Sequence, residues 1–182
     1  MGEVRIIGGR WKRSKLPVPD LPGLRPTSDR IRETLFNWLG QTLTGWRVLD
    51  AFAGSGALGF ESASRGADAV VMIEREAALV DALRASQRRL QATAVTIHRA
   101  NALNWMMACA DRFDLVFLDP PFADELFDRA LAAAVPLLSD GGVIYVESPR
   151  EIPAPAGFTA WRKGRAGAVH YQVLRREDNQ GQ

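Results

Sequence analysis

From residue 47 to residue 147 the chain alternates short apolar runs with longer stretches of helical periodicity. This alternation restricts the fold more than any other feature. The apolar runs cover residues 47–51, 69–73, 95–98, 114–118 and 143–147, and the helical stretches cover 57–65, 76–90, 102–110 and 124–138. Strands of four or five residues separated by helices imply right-handed crossovers, hence a parallel sheet covered on both faces. The pattern then breaks. Residues 158–162 and 168–174 flank Lys163-Gly164-Arg165-Ala166-Gly167, a hairpin signal and not a further crossover. The expectation is an α/β, Rossmann-like fold with a seven-stranded mixed sheet: five parallel strands closed by a C-terminal antiparallel hairpin. A plain dinucleotide fold would end on a parallel sixth strand.

Upstream of the alternation, Val4, Ile6, Ile7, Gly8-Gly9, Trp11, Leu16 and Val18 suit a short hairpin with a Gly-Gly turn, or an extended arm. Pro17, Pro19, Pro22 and Pro26 exclude a helix there. A helix is expected from Ser28, with Asp29 in its first turn and Ile31, Leu35, Trp38 and Leu39 on one face, ending at Gly40 or Gly45. Residues 1–24 are thus expected to form a basic N-terminal arm or hairpin, and residues 25–182 one catalytic domain.

The first strand runs into Val48-Leu49-Asp50-Ala51-Phe52-Ala53-Gly54-Ser55-Gly56-Ala57-Leu58-Gly59. Gly54, Gly56 and Gly59 permit a tight turn and a close backbone approach to a ligand where a helix begins. Glu74, about 20 residues on, stands where a carboxylate can accept both hydrogens of a ribose diol. A nucleoside-containing cofactor follows. Asp50 would repel a pyrophosphate but suits a cation, such as the amino acid end of S-adenosylmethionine. Asn101 ends the third strand. Its oxygen can accept from an adenine amino group, can cap the next helix, or can do both.

The fourth strand ends in Asp119-Pro120-Pro121-Phe122. Two prolines stiffen the backbone and leave carbonyls without local donors. A carboxylate and a flat ring lie beside them. Such a set can hold an exocyclic NH2 group on a planar base, oxygens accepting its hydrogens while Phe122 stacks on its face. A proline-rich turn capped by Asp119 is the plainer reading.

Charge is segregated. Residues 1–32 hold eight Arg/Lys against three Asp/Glu, residues 33–160 ten against sixteen, and residues 161–182 five against two. Basic ends on an acidic body suit a polyanion docked at one surface, or are merely solvated. One cysteine, Cys109, excludes an internal disulfide framework and fits a reducing compartment. One cysteine and two histidines, far apart, offer no metal spacing. No apolar run approaches the roughly 20 residues of a bilayer span, and no secretory signal is visible, so a cytoplasmic location is expected.

Together these motifs resemble a class I S-adenosylmethionine-dependent methyltransferase acting on an amino nitrogen. The stretches Arg5-Ile6-Ile7-Gly8-Gly9-Arg10-Trp11-Lys12, Arg25-Pro26-Thr27-Ser28-Asp29-Arg30-Ile31-Arg32-Glu33-Thr34-Leu35-Phe36-Asn37 and Ser64-Arg65-Gly66-Ala67 are similar to the RsmD family, from about residue 4 to 175. That resemblance implies methylation of the exocyclic N2 of one guanine in bacterial 16S rRNA. It implies S-adenosylmethionine as methyl donor without a metal, a small-subunit assembly particle as the setting, and a monomer. By the same resemblance, Thr27, Asp50, Gly54, Gly56, Glu74 and Asn101 line the cofactor pocket, with Arg25 and Pro26 over its methionine end. Asp119, Pro120, Pro121 and Phe122 are catalytic, and Arg5, Arg10, Lys12, Arg13 and Lys15 contact RNA phosphates. Asp-Pro-Pro-Phe is shared with adenine-N6 enzymes, so adenine-N6 methylation of DNA or RNA is the alternative. An NAD-dependent oxidoreductase would fit the glycine loop but not the tetrapeptide.

Overall fold

The structure is a computed structural model, and it describes residues 1–121 and 124–178, the side chain of Asp124 excepted. Phe122 therefore lies outside the described residues. The chain runs β1 (Gly2–Arg5), β2 (Lys15–Val18), α1 (Asp29–Leu39), β3 (Arg47–Asp50), α2 (Ala57–Ser64), β4 (Ala69–Glu74), α3 (Ala77–Leu90), β5 (Val95–Arg99), α4 (Ala102–Ala108), β6 (Phe113–Leu118), α5 (Asp124–Ala134), a 3-10 turn (Val135–Leu137), β7 (Leu138–Ser148), β8 (Phe158–Ala166) and β9 (Val169–Arg176).

The main sheet has seven strands in the order β5-β4-β3-β6-β7-β9-β8. The first five are parallel, and β9 runs antiparallel to both β7 and β8. This is the expected architecture, a Rossmann-like α/β fold closed by a hairpin. Valine, leucine, isoleucine and phenylalanine dominate the central strands because both faces are covered. One face packs under the β1–β2 hairpin and α1–α3, with Leu35, Phe36, Phe60 and Leu83 in its core. The other packs under α4 and α5, with Leu103, Met106, Phe127 and Leu131.

Two turns differ from expectation. The N-terminal hairpin does not turn at Gly8-Gly9. β1 and β2 pair from Gly2↔Val18 to Arg5↔Lys15, and residues 6–14 form a long loop between them. Gly8 and Gly9 serve a docking contact instead. A Cβ on Gly9, whose φ is +74°, would stand 2.0 Å from the Ser64 carbonyl oxygen. The closing hairpin turns at Gly167-Ala168, since β8 continues through Lys163-Gly164-Arg165-Ala166. Gly164 is needed there because a Cβ would collide with the Tyr171 ring.

α1 starts and stops as its sequence dictates. Ser28 Oγ accepts from the Ile31 N–H, and Gly40 ends the helix in the left-handed region at φ +99°. The order of strands reverses between β3 and β6, so the cleft outside their C-terminal ends is the place for a ligand.

Candidate active site

A cavity of about 600 Å³ opens at that reversal. Its floor is the loop after β3, from Asp50 to Ser55, and its walls are Glu74–Glu76, Asn101–Leu103 and Asp119–Pro121. A strap of chain, Leu21–Thr27, covers it. Thr27, Asp50, Gly54, Glu74, Asn101, Asp119, Pro120 and Pro121 therefore share one space. Gly56 is set just behind it. Its φ is +80°, and a Cβ would stand 2.6 Å from Leu83 and 2.7 Å from Phe60, so this glycine lets α2 close on α3. Gly54, at φ +53°, faces Leu24 of the strap.

Glu74 organises the floor. Its Oε2 accepts from the Gly54 N–H at 2.9 Å, and its Oε1 accepts from the N–H groups of Arg75 and Glu76 at 2.8 and 2.9 Å. A carboxylate has about four lone-pair sites, so three are engaged and one remains for a ligand hydroxyl, rather than two for a diol. Asn101 Oδ1 accepts from the Asn104 N–H at 3.1 Å and caps α4. One lone pair of that oxygen and the amide NH2 are left to meet a ligand.

Four acids end or follow the parallel strands at this rim: Asp50 ends β3, Glu74 ends β4, Asp119 follows β6 and Glu147 lies near the end of β7. Buried Asp50 accepts from the Gly59 N–H at 3.0 Å. Burial raises its pKa to about 7, with the nearby Glu74 charge adding to the rise and the Gly59 bond opposing it. Burial also holds Asp119 well above the usual carboxylate range, reinforced by the charges of Glu147 and Asp50. Glu147 was not foreseen as part of the site. Its Oε2 accepts from Thr27 Oγ1 and from Tyr145 Oη, each at 2.9 Å, tying the end of the strap to the sheet. Burial shifts Glu147 upward and these two bonds partly offset it. Its position at a strand end, shared with the three acids already singled out, is the signal that would have found it.

Sequence reading also missed what Arg32, Glu61 and Arg65 do. Glu61 accepts from the N–H groups of Ile7 and Gly8, from Arg32 Nη1 and from Arg65 Nε. Arg32 donates in addition to the carbonyls of Thr27 and Arg5. The N-terminal loop, the strap and α2 are thereby joined through buried charge. Arg5, Arg10, Lys12, Arg13 and Lys15 are all exposed around this loop, and Lys15 pairs with Glu3 at 2.8 Å.

Known proteins match this arrangement along nearly the whole chain. The family model described as "Conserved hypothetical protein 95" matches residues 4–175. Ribosomal RNA small subunit methyltransferase D of Escherichia coli is 42% identical over 185 residues, covering 97% of this chain and 91% of that protein. The protein of the same name from Haemophilus influenzae is 37% identical over 180 residues, covering 94% and 93%. The chain belongs to the RsmD family. The solved yhhF structure of Escherichia coli superposes on it with a TM-score of 0.88 at 41% identity, covering 97% of this chain and 99% of the other. The chain is accordingly an RsmD-family methyltransferase with a Rossmann-like class I fold. No helix among the described residues is long and apolar enough to cross a membrane.

Proposed function

We propose that this methyltransferase transfers a methyl group from S-adenosylmethionine to the exocyclic N2 of one guanine in bacterial 16S rRNA, in the cytoplasm and within a small-subunit assembly particle. The observation that carries the reading is the single cavity shared by the glycine floor and Asp119-Pro120-Pro121. A donor pocket and an amine clamp open onto the same space.

The residues present fit the cofactor. Asp50 would hold its cationic amino acid end, Glu74 a ribose hydroxyl, and the Asn101 amide the adenine edge, with Arg25, Pro26 and Thr27 above. The cofactor supplies an electrophilic methyl on a sulfonium. No metal is invoked, and among the described residues no cluster of metal-ligating side chains occurs. Residues 1–24 are taken as the RNA-docking hairpin and 25–182 as the catalytic unit. Arg5, Arg10, Lys12, Arg13 and Lys15 then serve as phosphate contacts, and the protein works as a monomer.

Guanine N2 is a weak nucleophile because its lone pair is delocalised into the ring. Asp119 and the Pro120 carbonyl would accept its two hydrogens, draw the nitrogen toward tetrahedral geometry and localise that pair. The two N–H donors and a cation in the cavity favour the ionised form of Asp119, opposing the burial that disfavours it. The carboxylate then stabilises the positive charge that develops on N2 and takes up the proton that N2 sheds once the methyl is bonded. Alignment of the reacting atoms can supply ~7–11 kcal/mol of the barrier. The guanine must leave its stack to reach the clamp, and Phe122 is assigned to receive it.

The test is transfer of tritiated methyl from labelled cofactor to unmodified small-subunit RNA and particles, followed by mapping of the modified base. Label on N2 of a single guanine is expected. Label on adenine N6 would favour the alternative activity, and no transfer to either substrate would sink the proposal.

A further inference from the structure

We infer that the closing hairpin β8–β9 is a second RNA-docking surface, carrying phosphate and stacking contacts for nucleotides that flank the target base. β8 is the outermost strand of the sheet. Its Arg162 is exposed, as is Arg175 on β9. Among the described residues no carboxylate pairs with either. Lys163, by contrast, is neutralised by Glu151 at 2.7 Å. Half-buried Trp161 has the Arg162 guanidinium 4.3 Å and the Arg175 guanidinium 5.6 Å from its ring centre. An aromatic ring with arginine planes laid on it is a platform for unstacked bases, and unpaired arginines beside it suit phosphates.

The register sets this surface a short way from the catalytic end. Arg162 pairs with Val173, which pairs with Tyr145, two residues before Glu147, and Arg175 pairs with Val143. β8 is three strands from β6, the strand that ends at Asp119. At 4.7–4.9 Å per strand spacing, that is roughly 14 Å sideways from the clamp, a reach for neighbouring nucleotides and not for the target itself. Trp161 also packs against the same core as Trp11 of the N-terminal loop. Arg162 and Arg175 therefore lie on the side of the sheet that the N-terminal loop covers. This gives part of the C-terminal positive charge a use beside that of the N-terminal residues.

The inference rests on the RNA reading above, and its test separates the two. Binding of unmodified 16S rRNA is measured against salt for the wild type and three double variants: Arg162→Gln with Arg175→Gln, Arg10→Ala with Lys12→Ala, and Arg84→Gln with Arg88→Gln on α3 as an equal-charge control. Cofactor affinity and melting temperature check that each variant folds. The expected result is a salt slope shallower by about 1.4 to 2 for the hairpin variant and unchanged for the α3 control. An unchanged slope for the hairpin variant overturns the inference while leaving the N-terminal contact and the activity standing. An equal change in the α3 control overturns it as general charge. Loss of activity on particles without loss of binding to naked RNA overturns it in favour of a protein contact. Failure of the wild type to methylate small-subunit RNA or particles is the separate failure of the function itself.

Discussion

Arg32 and Glu61 form an ion pair that water does not reach: both side chains are fully buried, with Arg32 Nη1 donating to Glu61 Oε2 at 3.1 Å. The pair joins α1 to α2, but its other hydrogen bonds matter more for function. Glu61 also holds Ile7 and Gly8 of the N-terminal loop, and Arg32 holds the carbonyl of Thr27. The proposed RNA-docking loop and the strap over the cavity thus share one buried anchor.

Removing one partner of a buried pair is strongly destabilising; Arg65 still meets Glu61 at 2.9 Å, but the buried Thr27 and Arg5 carbonyls lose their donor as well. Arg32→Ala is expected to lower unfolding free energy by ~3–5 kcal/mol, read by urea denaturation. A loss below about 1 kcal/mol, the range of exposed pairs, would mean that water enters the site and relieves Glu61.

Glu74→Gln tests whether the floor of the cavity depends on a carboxylate. Three N–H groups converge on its two oxygens, and an amide offers only one acceptor oxygen. Either the Gly54 contact or the pair at the start of α3 must be lost, at ~1–3 kcal/mol per charged hydrogen bond. Cofactor affinity should fall by roughly tenfold or more, because every 1.4 kcal/mol is tenfold. Calorimetry with the demethylated cofactor product measures this, and wild-type affinity would remove Glu74 from the binding site.

Asp119→Ala separates the clamp from the donor pocket. Removing a group aimed at developing charge lowers kcat by ~10²–10³-fold, or more where the group also orients the substrate. Cofactor affinity should stay nearly the same, because the glycine floor, Glu74 and Asn101 are untouched. Single-turnover methyl transfer alongside cofactor titration checks both, and a parallel loss of cofactor binding would count against the assignment.

Much of this was legible from periodicity. Both faces of the parallel sheet are apolar, so each central strand reads as a continuous apolar run, and α1 carries its own cap and stop in Ser28 and Gly40. The acids at strand ends were legible because a parallel sheet brings successive strand ends to one rim. What could not be read was pairing between distant segments. Glu61 looks like a surface residue of a short helix, and only tertiary contact with Ile7, Gly8 and Arg32 explains its burial. Gly8-Gly9 read as a turn because local sequence does not reveal the Ser64 carbonyl that passes over it. Glu147 escaped notice because its partners, Thr27 and Tyr145, lie on different elements.

The raised pKa of Asp50, about 7, gives stability a pH dependence of definite sign. The unfolded chain releases this proton near the ordinary carboxylate value of 3.8, whereas the folded chain keeps it until about 7. Between those values the folded state binds more protons, so Asp50 makes stability fall as pH rises through this window, with no further loss above it. Asp119 and Glu147, also shifted upward, act in the same direction. Asp50→Asn removes one contribution, so unfolding free energy measured at a series of pH values should decline less steeply than in the wild type. The same ionisation should strengthen binding of a cationic ligand as pH rises toward about 7 in the wild type and not in the variant, since only an ionised Asp50 attracts an ammonium. Parallel stability curves for the two proteins would show that Asp50 ionises in the folded state as readily as in water, and that the cavity floor is wetter than its burial indicates.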